Sequence, residues 1–350
     1  MNNSKVSINW PLIGNRQITK YLEKIIAKKE ISGTYIFNGP DNLGKTTVAN
    51  YFAQILLCQK YGQENKLPCN ECSACRRFIN KGGAVQEEIG STHGDFHLIK
   101  KAEDKKNISI EQIRDFIRVL SMSSFLNSYK VGIIKHAESL GIEASNALLK
   151  TLEEPKKDVV IILITDNVDK LLATIVSRCQ VLNFNLVETD IIFNYLIEEY
   201  KTSRSEAKNI SHLSLGRPAL AVKFLEDKEF YEEYINKMET FISFINQDIN
   251  QRFISIEQLV GNKFSGQEAV KISKRILDIW LGVVRDLILL EYNYSDMVQH
   301  EIAEKKMKDL KNNISLRDLL NTVKAIKKAK KYLEANVNPK LVLEGVALNI

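Results

Sequence analysis

At 350 residues the chain is longer than one ordinary hydrophobic core supports, so two or three domains are expected. Its 44% apolar and 26% charged residues exclude a disordered chain, and a net charge of +6 permits contact with nucleic acid without requiring it. No apolar run is long enough to span a membrane, and Met1–Lys5 lacks the apolar core of a signal peptide, which predicts a cytoplasmic protein with reduced cysteines and no membrane partner.

Trp10-Pro11-Leu12-Ile13-Gly14-Asn15 is an apolar lead-in that either wraps an adenine or plugs the edge of a core. Asn15 is read as the N-cap of a helix to about Lys28, with Ile18, Leu22, Ile25 and Ile26 on one face. Thr34–Phe37 is a β-rich run and should be a buried strand. It leads into Gly39-Pro40-Asp41-Asn42-Leu43-Gly44-Lys45-Thr46, which fits G-x-x-x-x-G-K-T, the phosphate-binding loop. Beyond it Val48, Ala49, Phe52, Ala53, Leu56 and Leu57 recur at helical spacing. Strand, glycine loop and helix in this order are what phosphate binding needs: Gly39 and Gly44 let backbone N–H groups turn inward, and the helix start adds positive charge. Lys45 is expected to reach the β- and γ-phosphates of ATP or ADP, and Thr46 to hold Mg2+, with Thr47 beside it.

Cys58, Cys69, Cys72 and Cys75 follow in the pattern C-x10-C-x2-C-x2-C, four of the chain's five cysteines within 18 residues. Two C-x-x-C steps sharing Cys72 bring sulfurs toward one ion, and Cys58 closes a tetrahedron from the end of the preceding helix. Four thiolates leave no open position, so the expected ion is a structural Zn2+ rather than a catalytic one; an Fe–S cluster is the less favoured alternative.

Asn80–Asp95 reads as loop and Phe96–Ile99 as a short strand, with His93 and His97 taken as surface or packed residues rather than ligands. Ile108–Leu120 is an amphipathic helix. The next strand, at 130–134, carries the most informative departure in the chain. In a nucleotide hydrolase of this type it should end in an Asp for Mg2+ and a Glu that orients water, yet Lys135 and His136 stand there. Exchanging a carboxylate for an ammonium beside Mg2+ reverses an interaction worth on the order of several kcal/mol at short range. A helix over Ala144–Glu153 stops at Pro155, and a strand over Val159–Thr165 ends in Thr165-Asp166-Asn167, where a γ-phosphate sensor would sit. Leu171–Val176 leads to Ser177-Arg178-Cys179 and a strand at 180–184. Alone, Arg178 would read as a surface ion pair; at the edge of such a domain it can also reach a neighbour's nucleotide.

Five strands alternating with helices predict an α/β domain with a doubly wound, mainly parallel sheet. After about Leu186 the β signal ends and short helices follow, with Pro218 at a helix start; Arg217 before it either points back at the nucleotide or caps the surface. From about Tyr231 the chain is helical again, and its lysine-rich stretch at 305–331 reads as solvated surface or as a face for DNA phosphates. The expected division is 1–185, 186–243 and 244–350.

Together these residues resemble the delta-prime family of bacterial DNA polymerase III clamp-loader subunits, within the AAA+ class. The resemblance rests on Gly39–Thr46, the four cysteines, Ile108–Arg114, Asn146-Ala147-Leu148-Leu149-Lys150-Thr151-Leu152-Glu153-Glu154-Pro155, Ser177-Arg178-Cys179 and Asn336–Glu344, and runs nearly end to end. It implies an AAA+ P-loop domain with a zinc module at 58–75, a small helical lid and an all-α collar. It further implies assembly with gamma/tau motor and delta subunits, and a role in placing the sliding clamp on primed DNA. Arg178 would act in trans on a neighbouring motor's ATP, and Arg217 would be the sensor-2 arginine. The related gamma/tau motor needs the acids that Lys135 and His136 replace, so the resemblance and the residues together imply a stator subunit with weak or absent ATP hydrolysis. A motor using Glu138 or Asp166, and an AAA+ remodeller of a protein substrate, are the alternatives. Glu138 lies three positions past the expected Asp and should not land on the same Mg2+.

Overall fold

The structure, a computed structural model, describes residues 8–61, 67–79, 94–101, 107–124, 129–260, 266–310 and 313–350. They form two compact units, one of residues up to Ile191 together with Arg217–Ala219, the other of Ile192–Gly216 and Leu220–Ile350.

In chain order the first unit contains α1 (Arg16–Lys28), β1 (Thr34–Asn38), α2 (Lys45–Leu57), α3 (Ser73–Arg76), β2 (Phe96–Ile99), α4 (Ile110–Ser121), β3 (Lys130–Lys135), α5 (Ile142–Glu153), β4 (Val159–Thr165), α6 (Ala173–Val176) and β5 (Gln180–Asn183). The strands form one five-stranded sheet in the order β2-β3-β4-β1-β5, and every pairing is parallel. All seven residues of β4 are buried, as a central strand covered on both faces requires. Alternation divides the core in two: Tyr35, Phe37, Val131, Ile133, Ile162 and Ile164 pack with α1 and α2, while Ile36, Ile134, Ile161 and Leu163 pack with α4 and α5. Each such buried side chain contributes about 1.5–3 kcal/mol. Because β1 lies between β4 and β5, the loop after it opens at the carboxyl edge of the sheet where the strand order reverses, the place where open α/β sheets bind ligands.

Local corrections have local causes. Asn15 is not a side-chain cap: it sits in the left-handed region with φ 48 and makes no capping hydrogen bond. Its amide is used at long range instead, accepting from Asn185 N at 2.8 Å and donating to Asn185 O at 2.9 Å. The helix expected from Ile108 begins at Ile110, because Ser109 and Gln112 form a capping box that fixes the start. Trp10 packs edge-on against Tyr51 of α2 at 5.4 Å and donates Nε1 to Glu23, so the lead-in fills the core edge. His97 bonds Gly94 O at 3.1 Å, and His93 lies outside the described residues.

The remaining helices are α7 (Thr189–Tyr200), α8 (Arg204–Leu213), α9 (Pro218–Glu226), α10 (Lys228–Phe244), α11 (Ile249–Val260), α12 (Gly266–Glu291), α13 (Glu304–Leu310), α14 (Leu316–Glu334) and α15 (Pro339–Ala347). The second unit is built around fully buried Trp280, which packs tilted against Phe241 and edge-on against Phe244 and donates Nε1 to Lys237 O at 3.2 Å. Among the described residues no helix is long and apolar enough to cross a membrane.

Candidate functional site

The glycine loop bends where only glycine fits. Gly39 has φ 143, and a Cβ there would lie 2.3 Å from Phe184 O. Gly44 has φ 84 and caps α2 without any side-chain hydrogen bond, so the first N–H groups of α2 face the loop. Leu12 lies against Gly44 and closes one side. Lys45 is 5% exposed, and Nζ donates to the loop's own carbonyls, Gly39 O and Pro40 O, the latter at 2.7 Å. Burial lowers its pKa; Asp41, Asp166 and Glu138 oppose that shift and Arg217 adds to it. Thr46 and Thr47 follow, half-buried, in the first turn of α2.

Arg217 is brought to this loop by its own chain: Ala219 N donates to Asn42 O at 3.0 Å. Its Nε is buried and has no hydrogen-bond partner among the described residues. Two cations, one of them short of an acceptor, beside uncapped helix N–H groups make a cradle for a polyanion. Gly39, Gly44, Lys45, Thr46, Thr47 and Arg217 are therefore gathered in one place.

The far wall comes from the ends of β3 and β4. Lys135 ends β3 in register with Ile164, and His136 follows at φ 54. Here the sequence reading missed an arrangement. Glu138 is turned inward, accepting from Thr165 Oγ1 at 2.7 Å and pairing with His136 Nδ1 at 3.3 Å. Burial opposes its ionisation, but the bonds from His136 and Thr165 outweigh it and bring its pKa down to about 2. The same bond to Glu138 raises the pKa of His136. The tight turn over Ala137–Ser139 is what brings the Glu138 carboxylate to Thr165 at the end of β4.

The four cysteines converge as expected. Their sulfurs all lie within 4.8 Å of one another, with Cys69 and Cys75 3.9 Å apart. A tetrahedral Zn2+ with bonds near 2.3 Å spaces its sulfurs about 3.8 Å apart, so the set could hold one structural zinc with small adjustment. Cys58 ends α2 and Cys72 caps α3, while Cys72 N and Cys75 N each donate to the preceding cysteine sulfur at 3.4 Å. Such N–H donors favour thiolates. The bond from Cys75 pulls the Cys58 thiol below its ordinary pKa, and the thiol of Cys75 is pushed up in turn.

Arg178 sits on the turn between α6 and β5, apart from this cradle in sequence and secondary structure. Nε donates to Glu153 Oε1 at 2.5 Å, Nη2 reaches the same oxygen, and Nη1 donates to Thr174 O at 2.7 Å. The surface ion pair is thus present, and 32% of the side chain stays open. Glu153 was not singled out from sequence; the available signal was an acid in the last position of a helix, where the macrodipole disfavours it.

Comparison with known proteins gives this geometry its context. A family model described as DNA polymerase III, delta subunit, matches residues 14–188. The chain is 28% identical to DNA polymerase III subunit delta' of Bacillus subtilis, across 98% of each chain. It is 24% identical to subunit tau of the same organism, across 97% of this chain and 60% of tau. Among solved structures, a DNA polymerase III gamma subunit-related protein of Thermotoga maritima shares the fold, with TM-score 0.51, 19% identity and coverage of 93% of this chain and 97% of that one. With half its length matched by the family model and an end-to-end delta' relative, the chain belongs to the delta-prime family of DNA polymerase III clamp-loader subunits.

Proposed function

We propose that the chain is the stator of a clamp loader: it binds ATP or ADP without the carboxylates that fix Mg2+ and water for hydrolysis, and contributes Arg178 to the ATP site of a neighbouring gamma/tau motor. Lys135 and His136 at the end of β3 are the observation that carries this reading. A hydrolase needs a carboxylate there for Mg2+ and another to orient water, and a cation in that place repels the metal. The cradle of Gly39, Gly44, Lys45, Thr46, Thr47 and Arg217 supports retained binding. In the proposed division residues 1–185 form the nucleotide domain, 186–243 a lid and 244–350 a collar, and a delta subunit and further motors complete the assembly that places a sliding clamp on primed DNA. Exposed Tyr332, Val337, Leu341 and Leu348 around a groove of about 770 Å³ between α14 and α15 suit burial by a neighbouring subunit's collar.

A second reading is favoured by one observation: Glu138 and Asp166 are the acids, with Asp41, that act on Lys45. A motor could use Glu138 in place of the missing pair. Against it, Glu138 is already engaged by Thr165 and His136. One assay separates the readings. The purified chain is expected to bind ATP and ADP by calorimetry yet release phosphate no faster than Lys45→Ala. Turnover comparable to a motor subunit, lost in both Lys45→Ala and Glu138→Gln, would establish the second reading instead. In the reconstituted loader, Arg178→Ala should leave assembly intact and lower DNA-stimulated hydrolysis.

A further inference from the structure

We infer that Glu153 is a positioning residue for Arg178, holding the guanidinium in the pose from which it enters a neighbouring subunit's nucleotide site. The inference rests on the trans role proposed above and adds a residue to it. Arg178 is fixed from both ends. Its carbonyl accepts from Thr34 Oγ1 of β1 at 2.7 Å, and its own N–H bonds Ile175 O at 3.1 Å. At the other end Glu153 Oε1 takes Nε and Nη2 along one edge of the guanidinium, while Thr174 O and Ser177 Oγ take Nη1 at 2.7 and 3.3 Å. A planar fork held along one edge and at one corner has its orientation set.

The pair has little reason to exist for stability. Glu153 is 46% exposed and Arg178 32%, and ion pairs at such exposure add little to folding. Glu153 is also the last residue of α5, where its charge opposes the helix dipole. What the pair does provide is order. An unrestrained arginine must surrender its rotamer freedom on docking, whereas one already held arrives with that entropy lost. The carboxylate is open enough to water that the guanidinium can leave it for a phosphate without a buried charge being stranded. A helix end therefore aims a side chain that lies 25 positions further along the chain.

The test uses the full chain assembled with its motor and delta subunits, reading ATP turnover on primed DNA. Glu153→Ala should lower kcat about three- to tenfold with the KM for ATP unchanged, because the group acts on the transition state rather than on ground-state binding. Glu153→Gln keeps an acceptor oxygen and should recover most of that loss. In an Arg178→Ala background Glu153→Ala should add nothing, a non-additivity that a merely structural role would not produce. Size-exclusion elution and melting temperature of each variant confirm folding and assembly. Wild-type turnover in Glu153→Ala beside an impaired Arg178→Ala would overturn the inference and leave the trans role standing. Faster turnover in Glu153→Ala would make the pair a mask and overturn it too, as would a further loss in the Arg178→Ala background. Wild-type turnover in Arg178→Ala would instead remove the trans role itself.

Discussion

Lys45 is a cation taken out of water and given only carbonyl dipoles, with a carboxylate, that of Asp41, no nearer than 3.9 Å. Burial disfavours its charged form, and Arg217 nearby disfavours it further. The fold therefore carries a cost that a bound polyphosphate would relieve. Removing the ammonium should leave the unliganded protein as stable as before, or slightly more so, while nucleotide affinity falls. A charge-assisted bond is worth about 1.5–3 kcal/mol, so Lys45→Ala should weaken ADP binding by roughly 10- to 150-fold. Calorimetry with ADP and a melting curve without it check the two halves; a large drop in the unliganded melting temperature would show that the lysine serves the fold. At the opposite wall the sign of the pH dependence is set by the pair of His136 and Glu138. His136 has its pKa raised by its bond to Glu138, so that contribution is complete below the ordinary histidine pKa and fades as pH rises through the raised one. Glu138, at about 2, contributes above the ordinary carboxyl pKa and loses its contribution only as pH falls toward that value. The window of full contribution lies between the two ordinary values, about pH 4.5 to 6.5. With 57% of the His136 side chain exposed the stability effect is small, so the direct measurement is the NMR titration of the imidazole, whose midpoint should fall in Glu138→Gln. An unchanged midpoint would mean the pair does not form in solution.

The cysteine centre acts on whole elements. It ties the end of α2, whose beginning is the phosphate loop, to the cap of α3 and to Phe78, which packs against Phe96 of β2 at 5.1 Å. A bound metal is thus expected to stabilise one edge of the sheet rather than to perform chemistry. Purified protein should carry one zinc per chain by elemental analysis, and Cys72→Ser should lose it and melt earlier while keeping ADP affinity within about twofold. Zinc retained at full stoichiometry in that variant would count against the assignment. This centre was legible because its four ligands fall within 18 residues and their spacing alone dictates convergence. The sheet was legible for a similar reason: Val159–Thr165 is an unbroken apolar run that only a doubly covered strand can bury. Ser109 with Gln112 was a readable start signal as well, and it moves the expected helix start by two positions. What stayed hidden depends on closure of the chain. Asn15 looks like a cap in sequence, but its amide serves Asn185, 170 positions away. Glu153 and Arg178, or Glu138 and Thr165, meet only once the sheet has closed, with β3 beside β4 and β1 between β4 and β5. Periodicity reports burial and says nothing of which polar atoms face each other across it.

On the scale of the molecule, a buried polar network lies in the second unit, far in sequence from the glycine loop. Asp286 of α12 and His300 are fully buried. The Asp286 carboxylate accepts from Gln299 N at 3.1 Å, His300 N at 2.8 Å and His300 Nδ1 at 2.7 Å. His300 Nε2 meets Tyr234 OH of α10 at 2.8 Å, and Gln299 Nε2 reaches Leu213 O at the end of α8 at 3.2 Å. Gly282 leaves room for this, since a Cβ there would lie 2.9 Å from Gln299 Oε1. Around the rim Lys208 pairs with Glu301 at 3.0 Å and His212 bonds Val298 O at 3.2 Å. Helices before residue 214 and after residue 228 are joined through residues 298–301, which this carboxylate anchors to α12, so α8 should move with α10 and α12. Removing Asp286 strands two backbone N–H groups and an imidazole, and a broken buried network of this kind costs about 3 kcal/mol or more. Asp286→Ala should therefore lower the melting temperature of the second unit by several degrees, taking a shift of about 2–4 °C per kcal/mol for a unit of roughly 150–250 residues. Hydrogen exchange locates the effect: amides of α8 at 204–213 should lose protection together with those of α12, while α1 at 16–28 in the first unit keeps its own. Loss confined to α12 would mean that apolar packing alone holds α8, and that the carboxylate braces only the long helix on which it sits.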